Sequence, residues 1–145
     1  MRKQLLVFAG LLGLCMLAAG PVQAQSSFKV NIPFAFVAGE AALPAGEYIV
    51  QPPQIGGAKA LTLRRIDGDS KDAAMVLGMT VQGKDQSVPR LVFHCYDNRY
   101  FLSTMWTSDS SYGLQLRESR REVELAKNET PRQVTLVASI STPRR

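Results

Sequence analysis

The sequence predicts a mainly β protein, an antiparallel β-sandwich or small barrel of about 7–8 strands with one short C-terminal helix at about 120–127. Three observations carry this reading. Short apolar runs alternate with polar residues at the period of a half-buried strand. Clusters of Pro, Gly, Asn, Asp and Ser separate those runs at short intervals. Helical spacing emerges only once, after Ser119.

The elements follow in chain order. Phe28, Val30 and Ile32 alternate with Lys29 and Asn31, a half-buried strand that Pro33 interrupts because proline has no N–H to donate. Phe34, Phe36 and Val37 continue beyond that break, and residues 39–42 read as a connection. Leu43-Pro44-Ala45-Gly46 has Pro at the second and Gly at the fourth position of a type I turn, and Tyr48-Ile49-Val50 starts the next strand. Two prolines and two glycines make residues 51–57 a loop. Leu61, Leu63 and Ile66 mark a further strand, stopped by Asp67-Gly68-Asp69, and the apolar stretch 74–81 is another, followed by a polar loop at 83–87. The clearest hairpin joins 91–96 to 100–106 through Asp97-Asn98-Arg99, since Asp and Asn tolerate the left-handed conformations of tight turns. Leu91, Phe93 and Cys95 share one face and Val92, His94 and Tyr96 the other, so both faces are largely apolar and the hairpin is expected to be central. Residues 107–112 are polar. Ser119-Arg120-Arg121-Glu122 fits a capping box, in which the Ser and Glu side chains each bond the other's backbone N–H. Val123 and Ala126 then give a narrow apolar helix face, Asn128 is the expected C-terminal cap, and Pro131 prevents continuation. Residues 134–138 form the last strand and 141–145 a frayed tail.

The N-terminus has the parts of a secretory signal: Arg2 and Lys3, an uncharged apolar run over 5–19, a Gly20-Pro21 break and a small residue at Ala24. The run is short for a membrane-spanning helix. Leu14 before Cys15 and the continuing apolar run do not fit a lipoprotein signal. The expected organisation is a signal peptide at 1–24 and a single domain at 25–145, exported to the periplasm or beyond the cell, with no transmembrane segment after cleavage. Loss of Arg2 and Lys3 lowers the net charge from +5 to +3. This mild basic excess favours anionic surfaces. Without a basic stripe interleaved with aromatics it does not point to nucleic acid. Cys15 leaves with the leader, so Cys95 stands alone, no internal disulfide can form, and the expected role is that of a small buried hydrophobe.

Three stretches, FKVNIPFAFVAGEAALPAGEY at 28–48, PRLVFHCYDNRYFLSTMW at 89–106 and SRREVELAK at 119–127, resemble a family of small exported bacterial proteins with no assigned activity. The resemblance covers nearly the whole mature chain and implies export and β structure without naming a substrate. Cys95 departs from that family's pattern, where a basic residue is expected, which argues against a thiol-based role.

No residue set predicts a catalytic, cofactor or metal site. His94 is the only histidine, and the adjacent His94 and Cys95 point to opposite faces of a strand and cannot share a metal. A hydrolase would have to use His94 with Asp97 or Asp109, but no nucleophile elbow accompanies it. The ligand-contact candidates are Tyr96, Tyr100, Trp106 and Tyr112, which with Phe101 form the densest aromatic group, and Arg120 and Arg121, whose charge suits an anionic envelope component. Each set has an ordinary alternative, core aromatics for the first and a solvated helix face for the second. The expected function is a non-enzymatic binding or envelope-associated module. A carrier of a small apolar ligand in a barrel cavity is the alternative, and a His94-centred hydrolase the third.

Overall fold

A computed structural model describes residues 27–53 and 59–140. The signal expected at 1–24, most of the loop expected at 51–57 and the tail from 141 lie outside the described residues. The strands are β1 (Phe28–Ile32), β2 (Phe36–Ala38), β3 (Ala41–Leu43), β4 (Gly46–Gln51), β5 (Ala60–Arg65), β6 (Ala73–Gln86), β7 (Arg90–Tyr96), β8 (Arg99–Trp106), β9 (Ser110–Leu116), β10 (Arg132–Val137) and β11 (Ser139–Ile140). Among the described residues one α-helix, α1 (Arg120–Ala126), lies between β9 and β10. Among the described residues no helix is long and apolar enough to cross a membrane.

The protein is mainly β, as the alternation predicts, but its sheet is mixed and has eleven strands among the described residues, more than the 7–8 expected. The order is β10-β7-β8-β9-β6-β5-β4-β1-β11. All these pairs are antiparallel; the exception to the expected pattern is β2, which pairs in parallel with β8 (Phe36 opposite Tyr100) and antiparallel with β3. The two ends of the order, β10 and β11, are consecutive in the chain, separated only by Ala138, whose N–H donates to Pro89 O at 2.9 Å. On the other side β6 crosses the sheet, its first residues pairing with β5 and those from Gly78 onward with β9. The strands therefore wrap around one interior, filled by Ile32, Tyr48, Val50, Leu61, Leu63, Leu91, Phe93, Met105 and Leu114, each almost fully buried.

Several boundaries differ from expectation, each for a physical reason. The connection expected at 39–42 is a tight turn at Gly39-Glu40, with Gly39 at φ +60°, and Ala41–Leu43 pairs back on β2. The chain bends at Ala45, and the buried Tyr48 anchors the bend by donating its hydroxyl to Pro44 O at 2.6 Å. The polar loop expected at 83–87 belongs mostly to β6, because an exposed strand pairs through its backbone whatever its side chains. For the same reason the polar residues before Gly113 hid β9, whose Leu114 and Leu116 are buried. Asp97 and Asn98, at φ +43° and +63°, close the β7–β8 hairpin as a two-residue turn. A register shift opposite Val92–Phe93 leaves Ser103 as an extra residue in β8, so Leu102 and Met105 both reach the core.

Trp106 is placed by two glycines. A Cβ on Gly113 would lie 2.6 Å from Trp106 Cε3 and 2.8 Å from Met105 O, and one on Gly83 would lie 2.5 Å from Trp106 Cη2. The indole thus rests on the backbone of β6 and β9. Gly113→Ala is expected to cost about 1–3 kcal/mol by overpacking, measured by urea denaturation of the variant beside the parent protein.

Candidate functional site

The outer face of the β7–β8 hairpin, away from the core, carries His94, Tyr96 and Phe101. His94 and Phe101 are register partners, and Tyr96 packs edge-on against Phe101 with centroids 5.8 Å apart. Helix α1 covers this face. Ser119 caps it as the sequence predicts, accepting from Glu122 N at 3.1 Å. The second half of the expected capping box is replaced: Glu122 turns to the sheet, and His94 Nδ1 lies 2.7 Å from Glu122 Oε1. The expected apolar face is corrected too. Val123 is 43 % exposed and Ala126 is exposed, while Glu122, at 2 % exposure, is the buried residue of the helix and Leu125 is half-buried. The strand surface beneath offers an imidazole and a phenol, so a carboxylate docks where an aliphatic side chain was expected. The helix ends with Lys127 as its C-cap residue, one earlier than Asn128.

Burial pushes the Glu122 carboxyl above its ordinary value; its hydrogen bond to His94 and the charge of His94 oppose that rise, and the neighbouring Glu118 adds to it. Burial also raises the Tyr96 hydroxyl, with the charges of Glu122 and Glu118 adding to the effect. Glu118 completes a convergence: one ligand-capable atom from each of His94, Glu118 and Glu122 lies within 4.8 Å of the others. The acid beside His94 is therefore Glu122 and not Asp97 or Asp109, both of which are exposed turn residues at positive φ. No serine hydroxyl hydrogen-bonds His94 among the described residues.

Beside this junction lies a groove of about 850 Å³. Its walls are β2, β3, the start of β8 and α1. Phe36, Val37, Leu43, Pro44, Tyr100, Phe101 and Leu125 make it apolar, and Arg99, Arg120 and Arg121 bring positive charge to it, with Glu124 the one acid in its lining. The β2–β3 turn closes on the helix start, where Arg120 N–H donates to Glu40 Oε1 at 3.1 Å. That carboxylate suits the positive end of the helix.

The sequence-derived candidates separate accordingly. Tyr100, Arg120 and Arg121 line the groove together. Tyr96 is 2 % exposed and sits under α1, Trp106 lies across its glycines, and Tyr112 is 55 % exposed on the distant β9, so none of these three joins it. Arg99 and Glu118 are not singled out by the sequence, and Glu122 is singled out only as a helix cap. The i,i+4 spacing of Glu118 and Glu122 was the available signal, but it does not reveal the histidine opposite. Cys95 is buried, with Arg132 Nη2 3.8 Å from its Sγ.

The fold and the groove define a small β protein with a basic-rimmed apolar surface cleft. No family profile, curated protein or solved structure matches this chain, so the functional reading rests on its own residues.

Two outcomes test the buried pair. A carboxyl whose folded value is raised contributes stability that is fully present below its unfolded value, near 4.5, and lost as the pH climbs through the raised folded value. The parent protein is therefore expected to lose more melting temperature across that window than Glu122→Gln, as followed by circular dichroism from pH 4 to 8. His94→Ala leaves Glu122 buried without its partner and is expected to cost about 3 kcal/mol at neutral pH, read from chemical denaturation.

Proposed function

We propose that this chain is an exported, non-enzymatic binding domain whose groove holds an anionic amphiphile, an acyl chain ending in a carboxylate or phosphate. The carrying observation is the pairing of an apolar lining with Arg99, Arg120 and Arg121, none of which forms an ion pair among the described residues. An apolar cleft of this size with a few convergent polar groups is the usual form of a small-ligand site. Guanidinium groups are suited to bidentate contact with carboxylate and phosphate. Binding at the surface is favoured over an interior cavity because Leu91, Phe93, Tyr48 and Ile32 are fully or almost fully buried and none of them lines the groove. Export rests on the charged start, apolar run and small-residue end of residues 1–24. The reading as a binding domain accords with a histidine whose partner is a buried structural carboxylate.

Calorimetric titration tests the ligand class. Dodecanoate and dodecyl phosphate are expected to bind one per chain, dodecanol about tenfold or more weakly, and dodecyltrimethylammonium not at all. Arg121→Glu, on the exposed helix surface, is expected to weaken dodecanoate binding about tenfold and leave thermal stability unchanged. Equal binding of all four compounds, or of none, rejects the reading. For export, intact mass of the protein from the extracytoplasmic fraction is expected to begin at Gln25.

A further inference from the structure

We propose that His94, Glu118 and Glu122 form a binding site for one divalent transition-metal cation, with Zn²⁺ as the probe. The three residues come from two elements and the turn between them: His94 from β7, Glu122 from α1, and Glu118 from the connection that precedes the Ser119 cap. Their ligand-capable atoms already lie within 4.8 Å of one another. A tetrahedral zinc with bonds of about 2.0–2.2 Å holds its ligand atoms roughly 3.3 Å apart. The His94–Glu122 contact, now 2.7 Å, would open by roughly half an ångström, and the exposed Glu118 would swing in.

The set is more than a group of surface acids. Glu122 is a carboxylate at 2 % exposure, held by the capped helix start, and the imidazole beside it is 19 % exposed on β7, a strand paired on both sides. Two of the three ligands are therefore positioned by the fold before any ion arrives. Glu118 adds a second negative charge beside the buried one, a repulsion that a cation reverses. One imidazole with two carboxylates suits zinc and its first-row neighbours, whereas Mg²⁺ and Ca²⁺ prefer all-oxygen shells. Three protein ligands leave a coordination position for water. An entry path exists, because Glu118 also lines two open surface cavities of about 610 and 600 Å³, one walled by Leu77, Met79 and Val123 and the other by Glu40, Arg117 and Arg120. The site is independent of the amphiphile groove, although a bound ion would tie the helix wall of that groove to β7.

The test is Zn²⁺ titration of tag-free, chelator-treated protein at pH 7.5, followed by calorimetry and by thermal unfolding. One equivalent is expected to bind saturably and to raise the melting temperature. His94→Ala and Glu118→Gln are each expected to weaken binding about tenfold or more. Glu118 is exposed and repels the buried Glu122, so Glu118→Gln is expected to keep the parent circular dichroism spectrum and a metal-free melting temperature no lower than the parent's, which separates ligand loss from unfolding. Co²⁺ is expected to give a visible absorption band that His94→Ala abolishes, and millimolar Mg²⁺ is expected not to displace Zn²⁺. Absence of one-to-one binding, or affinity unchanged in both variants, overturns the proposal.

Discussion

A carboxylate removed from water must be compensated, and here the compensation decides where the helix sits. Helix α1 has seven residues, too few to hold together without tertiary contacts. Its buried side chain is Glu122, and what fixes it against the sheet is the 2.7 Å contact to His94, helped by the Ser119 cap and by Glu40 at Arg120 N. An aliphatic residue in the same place would bind the helix with less directional preference. The hydrogen bond sets one rotation and one height, so Arg120, Arg121 and Leu125 face the groove. Removing either partner strands the other in a poorly solvated place, which makes the docking all-or-none in character.

The β7–β8 hairpin is the element through which core and site communicate. Its inner face supplies Leu91, Phe93, Leu102 and Met105 to the interior, and its outer face supplies His94, Tyr96 and Phe101 to the helix junction. Tyr100 extends this link: it stacks on Phe34 at 3.7 Å, Phe34 meets Phe93 edge-on at 5.1 Å, and Tyr100 also lines the groove. A strand buried on both faces cannot shift register without disturbing both layers. The groove therefore rests on a floor packed on both sides, with α1 as the wall held most locally.

Much of the fold was legible from short-range pattern. The alternation in Phe28–Ile32, the Asp97-Asn98 turn and the Ser119 cap are decided within a few residues by side-chain direction, backbone sterics and local hydrogen bonding, and the structure places each where those forces indicate. Polar strand segments were not legible, because Gln82 and Gln86 of β6 are held to Tyr112 and Ser110 by backbone pairing that side-chain hydrophobicity does not report. The groove was visible in part: Tyr100, Arg120 and Arg121 stood out by type, whereas Arg99 did not, and Trp106 and Tyr112 stood out yet lie elsewhere.

The sequence alone determined the mainly β class, the tight hairpin and the position of helix α1, since each follows from interactions between near neighbours. Only the tertiary structure decided that His94 meets Glu122 across 28 positions, that Glu40 reaches Arg120 across 80, and that β10 and β11, separated only by Ala138, lie at opposite ends of the strand order. Those contacts join groups whose local preferences are silent about each other. Burial made a glutamate expected to cap its own helix the residue that docks it.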